Sequence, residues 1–183
     1  MTSNMEQRTG RRRNRWSILV WGGAACLLLL QLVAMQLTTE VNWTGSDFLV
    51  MGVLLAIVCG GYEFATRVSD STTYRAGAAV AIGTGFLTIW VNLAVGMLGD
   101  EGNPDNLLFG LVLLVAMGGA LIAGFKPRGM ARAMHAAAAA QAAMAAYALV
   151  GGYSEVVVHV GCFVLPWLLS AGLFKKAALE ASR

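Results

Sequence analysis

Charge is what this sequence has least of. Asp, Glu, Lys and Arg make up 13% of its 183 residues, against about 25% in a soluble globular domain. Hydrophobic residues reach 57%, and a chain so apolar would precipitate unless lipid were its solvent. Cysteine is also scarce: Cys26, Cys59 and Cys162 each fall inside an apolar block, and none has a Cys-x-x-Cys neighbour. An odd number of thiols in such surroundings argues against a disulfide framework, and the role expected of them is that of small buried hydrophobes. The chain further lacks a metal-ligand cluster, a Gly-rich phosphate loop after a strand, and a Ser or Cys nucleophile beside a base. No catalytic residue, cofactor or metal ion is therefore expected, and enzyme is the least favoured class.

What is present is a series of long apolar blocks, the signature of membrane-spanning helices. Arg11–Arg12–Arg13–Asn14–Arg15 precedes the first. A signal peptide has the same order, but its apolar core is about 7–15 residues. This run is longer and ends in Thr38–Thr39–Glu40 without a small-residue cleavage site, so it reads as a retained span. The expected fold is all-α, one membrane bundle of six transmembrane helices in antiparallel hairpins, with both termini cytoplasmic. The spans are placed at 16–37, 48–66, 76–98, 107–125, 131–150 and 156–174, between a basic tail (1–15) and a short C-terminal tail (175–183).

The fifth span decides the count. It is mostly alanine from His135 to Ala148 and carries Arg132, His135 and Gln141, so an interfacial helix is the alternative. With six crossings and the N-terminus inside, all 13 Lys and Arg residues fall on the cytoplasmic side. Without the fifth crossing, Lys175, Lys176 and Arg183 move outside, against the positive-inside rule. Small residues then suggest how helices pack: Gly77, Ala81 and Gly85 on the third, Ala116, Ala120 and Gly124 on the fourth, and nearly every side of the fifth, which is expected in the interior. Asn103–Pro104–Asp105 reads as a helix start. Trp16, Trp43 and Tyr153 read as interfacial anchors, while Trp90 and Trp167 lie deeper.

Polar residues within the bilayer are the default site candidates. Gln31, Thr88, Asn92 and His159 form a candidate outer polar layer, with Gln31, Asn92 and His159 roughly 8–11 Å below the boundary. This layer suits a cation, water or a polar ligand; the competing reading is hydrogen bonding between helices, with threonines bonded to their own carbonyls. Glu63 and His135 form a candidate proton pair on the cytoplasmic side, although Arg67 at i+4 offers Glu63 a plain helical ion pair. Asp100, Glu101 and Asp105 form a candidate outer acidic loop with the oxygen ligands calcium prefers; a solvated turn with a helix cap competes with it.

Two stretches resemble a family of small, uncharacterised multi-pass bacterial inner-membrane proteins. They are Trp90–Val–Asn–Leu–Ala–Val–Gly–Met–Leu–Gly–Asp–Glu–Gly–Asn–Pro–Asp–Asn106, and Gly119 to Met134 with its Phe125–Lys–Pro–Arg–Gly–Met–Ala–Arg132. The likeness is strongest from Tyr74 to Ala148. It implies a bacterial inner-membrane protein, and it transfers no activity and no functional residue. The expected partners are membrane lipids, anionic lipid at the basic tail, and a homo-oligomer or larger membrane complex; the basic balance has no need of nucleic acid. An accessory or structural subunit is slightly favoured, and an oligomeric transporter or channel module for a cation, proton or small polar solute is the alternative.

Overall fold

The computed structural model describes residues 3–38, 42–100 and 102–182, with side chains from residue 18 onward, Leu19 excepted. Every regular element among them is helical: α1 (Ser3–Leu37), α2 (Gly45–Val68), α3 (Thr72–Ala94), a 3-10 turn (Pro104–Leu108) leading into α4 (Phe109–Ile122), α5 (Pro127–Val150), a 3-10 turn (Ser154–Val156), α6 (Val157–Cys162) and α7 (Val164–Glu180). Among the described residues, six segments are long and apolar enough to cross a membrane. These are Val20–Leu37, Gly45–Val68, Thr72–Ala94, Pro104–Ile122, Pro127–Val150 and Ser154–Glu180. Their outer faces are apolar, with Ile122 91%, Val150 89% and Leu107 80% exposed. Soluble monomers rarely show such continuous apolar surface, and lipid is the solvent that suits it.

The chain divides into two compact units, Met1–Glu63 and Phe64–Arg183. In the first, α1 runs as one helix from the basic segment into the apolar one. Thr44 and Asp47 start α2 with a reciprocal cap: the Thr44 amide and hydroxyl both donate to Asp47 Oδ2 at 2.7 Å. This is the capping-box logic, with an acid three residues inside the helix. Trp43 stacks edge-on against Phe48 at 5.2 Å, and the Cys59 thiol donates to the Val20 carbonyl at 3.8 Å.

In the second unit α5 is central, packing against α4, α6 and α7, while α3 packs on α7. Alanine makes this possible. Ala131, Ala133, Ala137, Ala138 and Ala148 are buried along α5 with Met130, Met134 and Met144. At Gly119 of α4, an added Cβ would stand 2.7 Å from the Ala133 Cβ, so the two backbones meet at van der Waals contact. Between α3 and α7, Ser170 Oγ donates to the Gly77 carbonyl at 2.8 Å. The buried Tyr74 ring packs on Phe174 (5.0 Å) and its hydroxyl donates to the Phe125 carbonyl at 2.8 Å. Arg75 finishes α2 by donating to the Thr66 and Ser69 carbonyls while pairing with Asp70 at 2.8 Å. A cation at a helix C-terminus also complements its dipole.

Four expectations from the sequence change here. The third helix ends at Ala94, short of Leu98, because the backbone turns through Gly96 at φ +71°. The fourth stops at Ile122, since Gly124 and Phe125 both take positive φ, +54° and +58°. Gly124 is thus a turn residue with open space around it, and Gly119 is the glycine that lets α4 approach α5. The sixth span is interrupted at Phe163, just ahead of Pro166, which has no N–H for the Cys162 carbonyl. Finally, of the three thiols only Cys59 is buried; Cys26 and Cys162 are exposed on apolar helices, where a thiol faces lipid at little cost.

Candidate functional site

Three groups of side chains were candidates, and the structure treats each differently. On α3 the polar stripe satisfies itself. Thr84 Oγ1 donates to the Val80 carbonyl (2.7 Å), Thr88 Oγ1 to that of Thr84 (2.9 Å), and Asn92 Nδ2 to that of Thr88 (2.8 Å). Each donor is spent on the carbonyl one turn back, the local bonding that hydroxyl and amide side chains favour in apolar helices. Thr88 is fully buried, Asn92 half-buried, and His159 exposed at the start of α6. The structure therefore brings Thr88 and Asn92 together but gives His159 a different environment. Gln31 is half-buried on α1, in the first unit.

Glu63 is half-buried near the end of α2. His135 is exposed, and its Nδ1 lies 2.7 Å from the Ala131 carbonyl of its own helix. The imidazole is therefore engaged locally.

The loop after α3 is the most highly organised polar region. Gly96 begins it, and any Cβ there would collide with the Asp100 backbone. Asn106 then acts as its keystone: Oδ1 accepts from the Met97 and Leu98 amides (3.0 and 2.8 Å), and Nδ2 donates to the Asp100 carbonyl at 2.7 Å. Asn103 caps the 3-10 turn by accepting from the Asp105 amide at 3.0 Å, and donates to the Leu98 carbonyl and to Tyr153 Oη. Asp105 Oδ2 accepts from Tyr147 Oη (2.9 Å) and Tyr153 Oη (3.2 Å). Side-chain amides and tyrosine hydroxyls thus fill the roles that a cation would have in a metal loop. Asp100 is exposed beside this network, and Glu101 lies outside the described residues. Trp16, among the anchors, has no described side chain, and Tyr153 belongs to this network.

Sequence reasoning singled out neither Asn106 nor Tyr147. The signal lay in the asparagines flanking Pro104, but the tyrosines that bond Asn103 and Asp105 lie 42 to 50 residues away. Gln141 was visible only as a polar residue at mid-span. It is fully buried and donates through Nε2 to the Val160 carbonyl at 3.0 Å. Its Oε1, with Asn92 Oδ1 and Trp167 Nε1, is a buried polar atom without a hydrogen-bond partner in the protein. Gathered metal ligands are absent among the described residues: no three His, Cys, Asp or Glu side chains converge.

No protein-family model, curated protein or solved structure matches the chain.

Proposed function

We propose that this chain is an accessory subunit of the bacterial inner membrane, crossing it six times in antiparallel hairpins and binding other membrane proteins through α5. One observation carries the reading. The exposed side of α5 carries Ala136, Ala139, Ala142, Ala143 and Ala146 through its middle, between Arg132 and His135 at one end and Tyr147, Leu149 and Val150 at the other. Alanine gains little from lipid, and α5 is the least apolar of the six segments. A small-residue face does gain from another helix, because backbones approach closely there and dispersion replaces the missing hydrophobic drive. The basic N-terminal segment suits anionic lipid on the cytoplasmic leaflet, and the even number of crossings keeps both ends on that side. The likeness to small bacterial inner-membrane proteins points to the same membrane.

The test is gentle extraction of the wild-type chain and of Ala139→Trp from native membranes. The expected outcome is a stoichiometric membrane protein that accompanies the wild type and is lost from the variant, while the variant's own Tm is unchanged. A chain that elutes alone, or only with copies of itself, removes the accessory reading. Self-association with ions or water ordered at Asn92 would favour the transport module instead. That alternative draws on the unpaired amide oxygens of Asn92 and Gln141, but the donors of the α3 stripe are already spent on their own helix.

A further inference from the structure

The stretch from Ser154 to Cys162 is held differently from the other apolar helices. Gly151 and Gly152 precede it, the latter at φ +84°. At its other end the helix breaks at Phe163, three residues before Pro166. Proline cannot return a hydrogen bond to the Cys162 carbonyl and crowds it sterically, so the ladder linking α6 to α7 is interrupted. α6 packs chiefly on α5. Two polar ties hold this region. One joins the stretch to α5: Gln141 Nε2 donates to the Val160 carbonyl at 3.0 Å. The other lies one residue ahead of it and reaches the loop after α3: Tyr153 Oη accepts from Asn103 at 2.9 Å and donates to Asp105 at 3.2 Å.

The first tie is incomplete. Gln141 is 0% exposed, yet its Oε1 has no partner in the protein. An unpaired buried acceptor forfeits its hydration, so the packed arrangement carries a penalty that contact with water would relieve. Phe163 itself keeps helical dihedrals (φ −67°, ψ −13°), so the break is a kink that the proline imposes on the hydrogen-bond ladder. The unpaired oxygen and the kink together favour an alternative state in which this stretch moves and water enters beside Gln141.

We propose that Ser154–Cys162 is a hinged half-helix, a lid that pivots at Gly151–Gly152 and at Phe163–Pro166, with Gln141 as the latch that holds it shut. Opening breaks the Gln141–Val160 bond, uncovers the buried Val160 and, because Tyr153 lies beyond the glycine pivot, releases its bonds to Asn103 and Asp105, while the Gln141 amide becomes hydrated. Hydrogen–deuterium exchange on the full chain in lipid nanodiscs tests this through two variants of opposite effect. Gln141→Leu removes the latch, and amides of Val157–Cys162 should exchange faster by about tenfold, while those of α3 and α4 keep their wild-type rates. Pro166→Ala restores the ladder across the break, and the same amides should exchange several-fold more slowly. The proposal is overturned if Pro166→Ala leaves these rates unchanged or raises them. It is equally overturned if Gln141→Leu leaves Val157–Cys162 unchanged, or accelerates α3 and α4 to the same extent. Should Gln141→Leu fail to fold, the direction of the Pro166→Ala effect alone decides.

Discussion

A single side chain, Asn106, does more to shape the loop after α3 than its acidic residues do. Its amide meets two backbone N–H groups and one carbonyl within the same loop. Asn106→Ala leaves the Met97 and Leu98 amides without partners, so a loss of roughly 3 kcal/mol is expected. Asn106→Asp keeps the acceptor but sets an oxygen against the Asp100 carbonyl where the donor now spans 2.7 Å, so it should lose stability too. Thermal unfolding in detergent should show part of that loss recovered at low pH, where a protonated carboxyl donates again. A loss that does not change with pH would mean that the amide acts by packing. The same geometry sets the expectation for calcium. Asp105 already accepts from Tyr147 and Tyr153, so millimolar calcium should leave Tm unchanged; a rise that grows with concentration would restore the ligand reading.

At the level of helices, glycine position separates packing from punctuation. Gly119 faces Ala133 so closely that a methyl group must displace α5, whereas the adjacent Gly118 has nothing within 4 Å. Gly119→Ala should therefore cost about 1–3 kcal/mol by overpacking, and Gly118→Ala nothing measurable. Adding Ala133→Gly should recover part of the loss, a coupling that a double-mutant cycle reads directly. The number of apolar spans was legible in the sequence because apolar block length reports directly on the bilayer. Helix ends were not. Gly96, the Gly124–Phe125 pair and Pro166 act through backbone dihedrals and a missing donor, which hydropathy does not register. The candidate sites were legible only as residue types. Thr84, Thr88 and Asn92 at intervals of four predicted a stripe, but the same spacing lets each bond its own helix, and the structure shows that they do. The tyrosines over Asp105 were hidden because sequence spacing says nothing about partners so far along the chain.

For the whole molecule the decisive element is α5, whose alanine-rich middle made its crossing the weakest inference from hydropathy. The structure removes part of that difficulty. Nine of its residues, Gln141 among them, are buried against neighbouring helices, so transfer into lipid is not the term that must hold them. Charge placement adds an independent constraint. With α5 crossing, Lys175 and Lys176 share a side with the basic N-terminal segment; without it they do not, and the positive-inside bias is worst served where it should be strongest. A cysteine-free variant carrying Ser3→Cys or Ser182→Cys reads this out in intact bacterial cells. Both thiols should resist a membrane-impermeant maleimide until the inner membrane is permeabilised. Labelling of Ser182→Cys alone in intact cells would mean an odd number of crossings, with α5 lying in the interface. The exposed alanine face would then meet headgroups and water, and the case for a partner helix would fall with it.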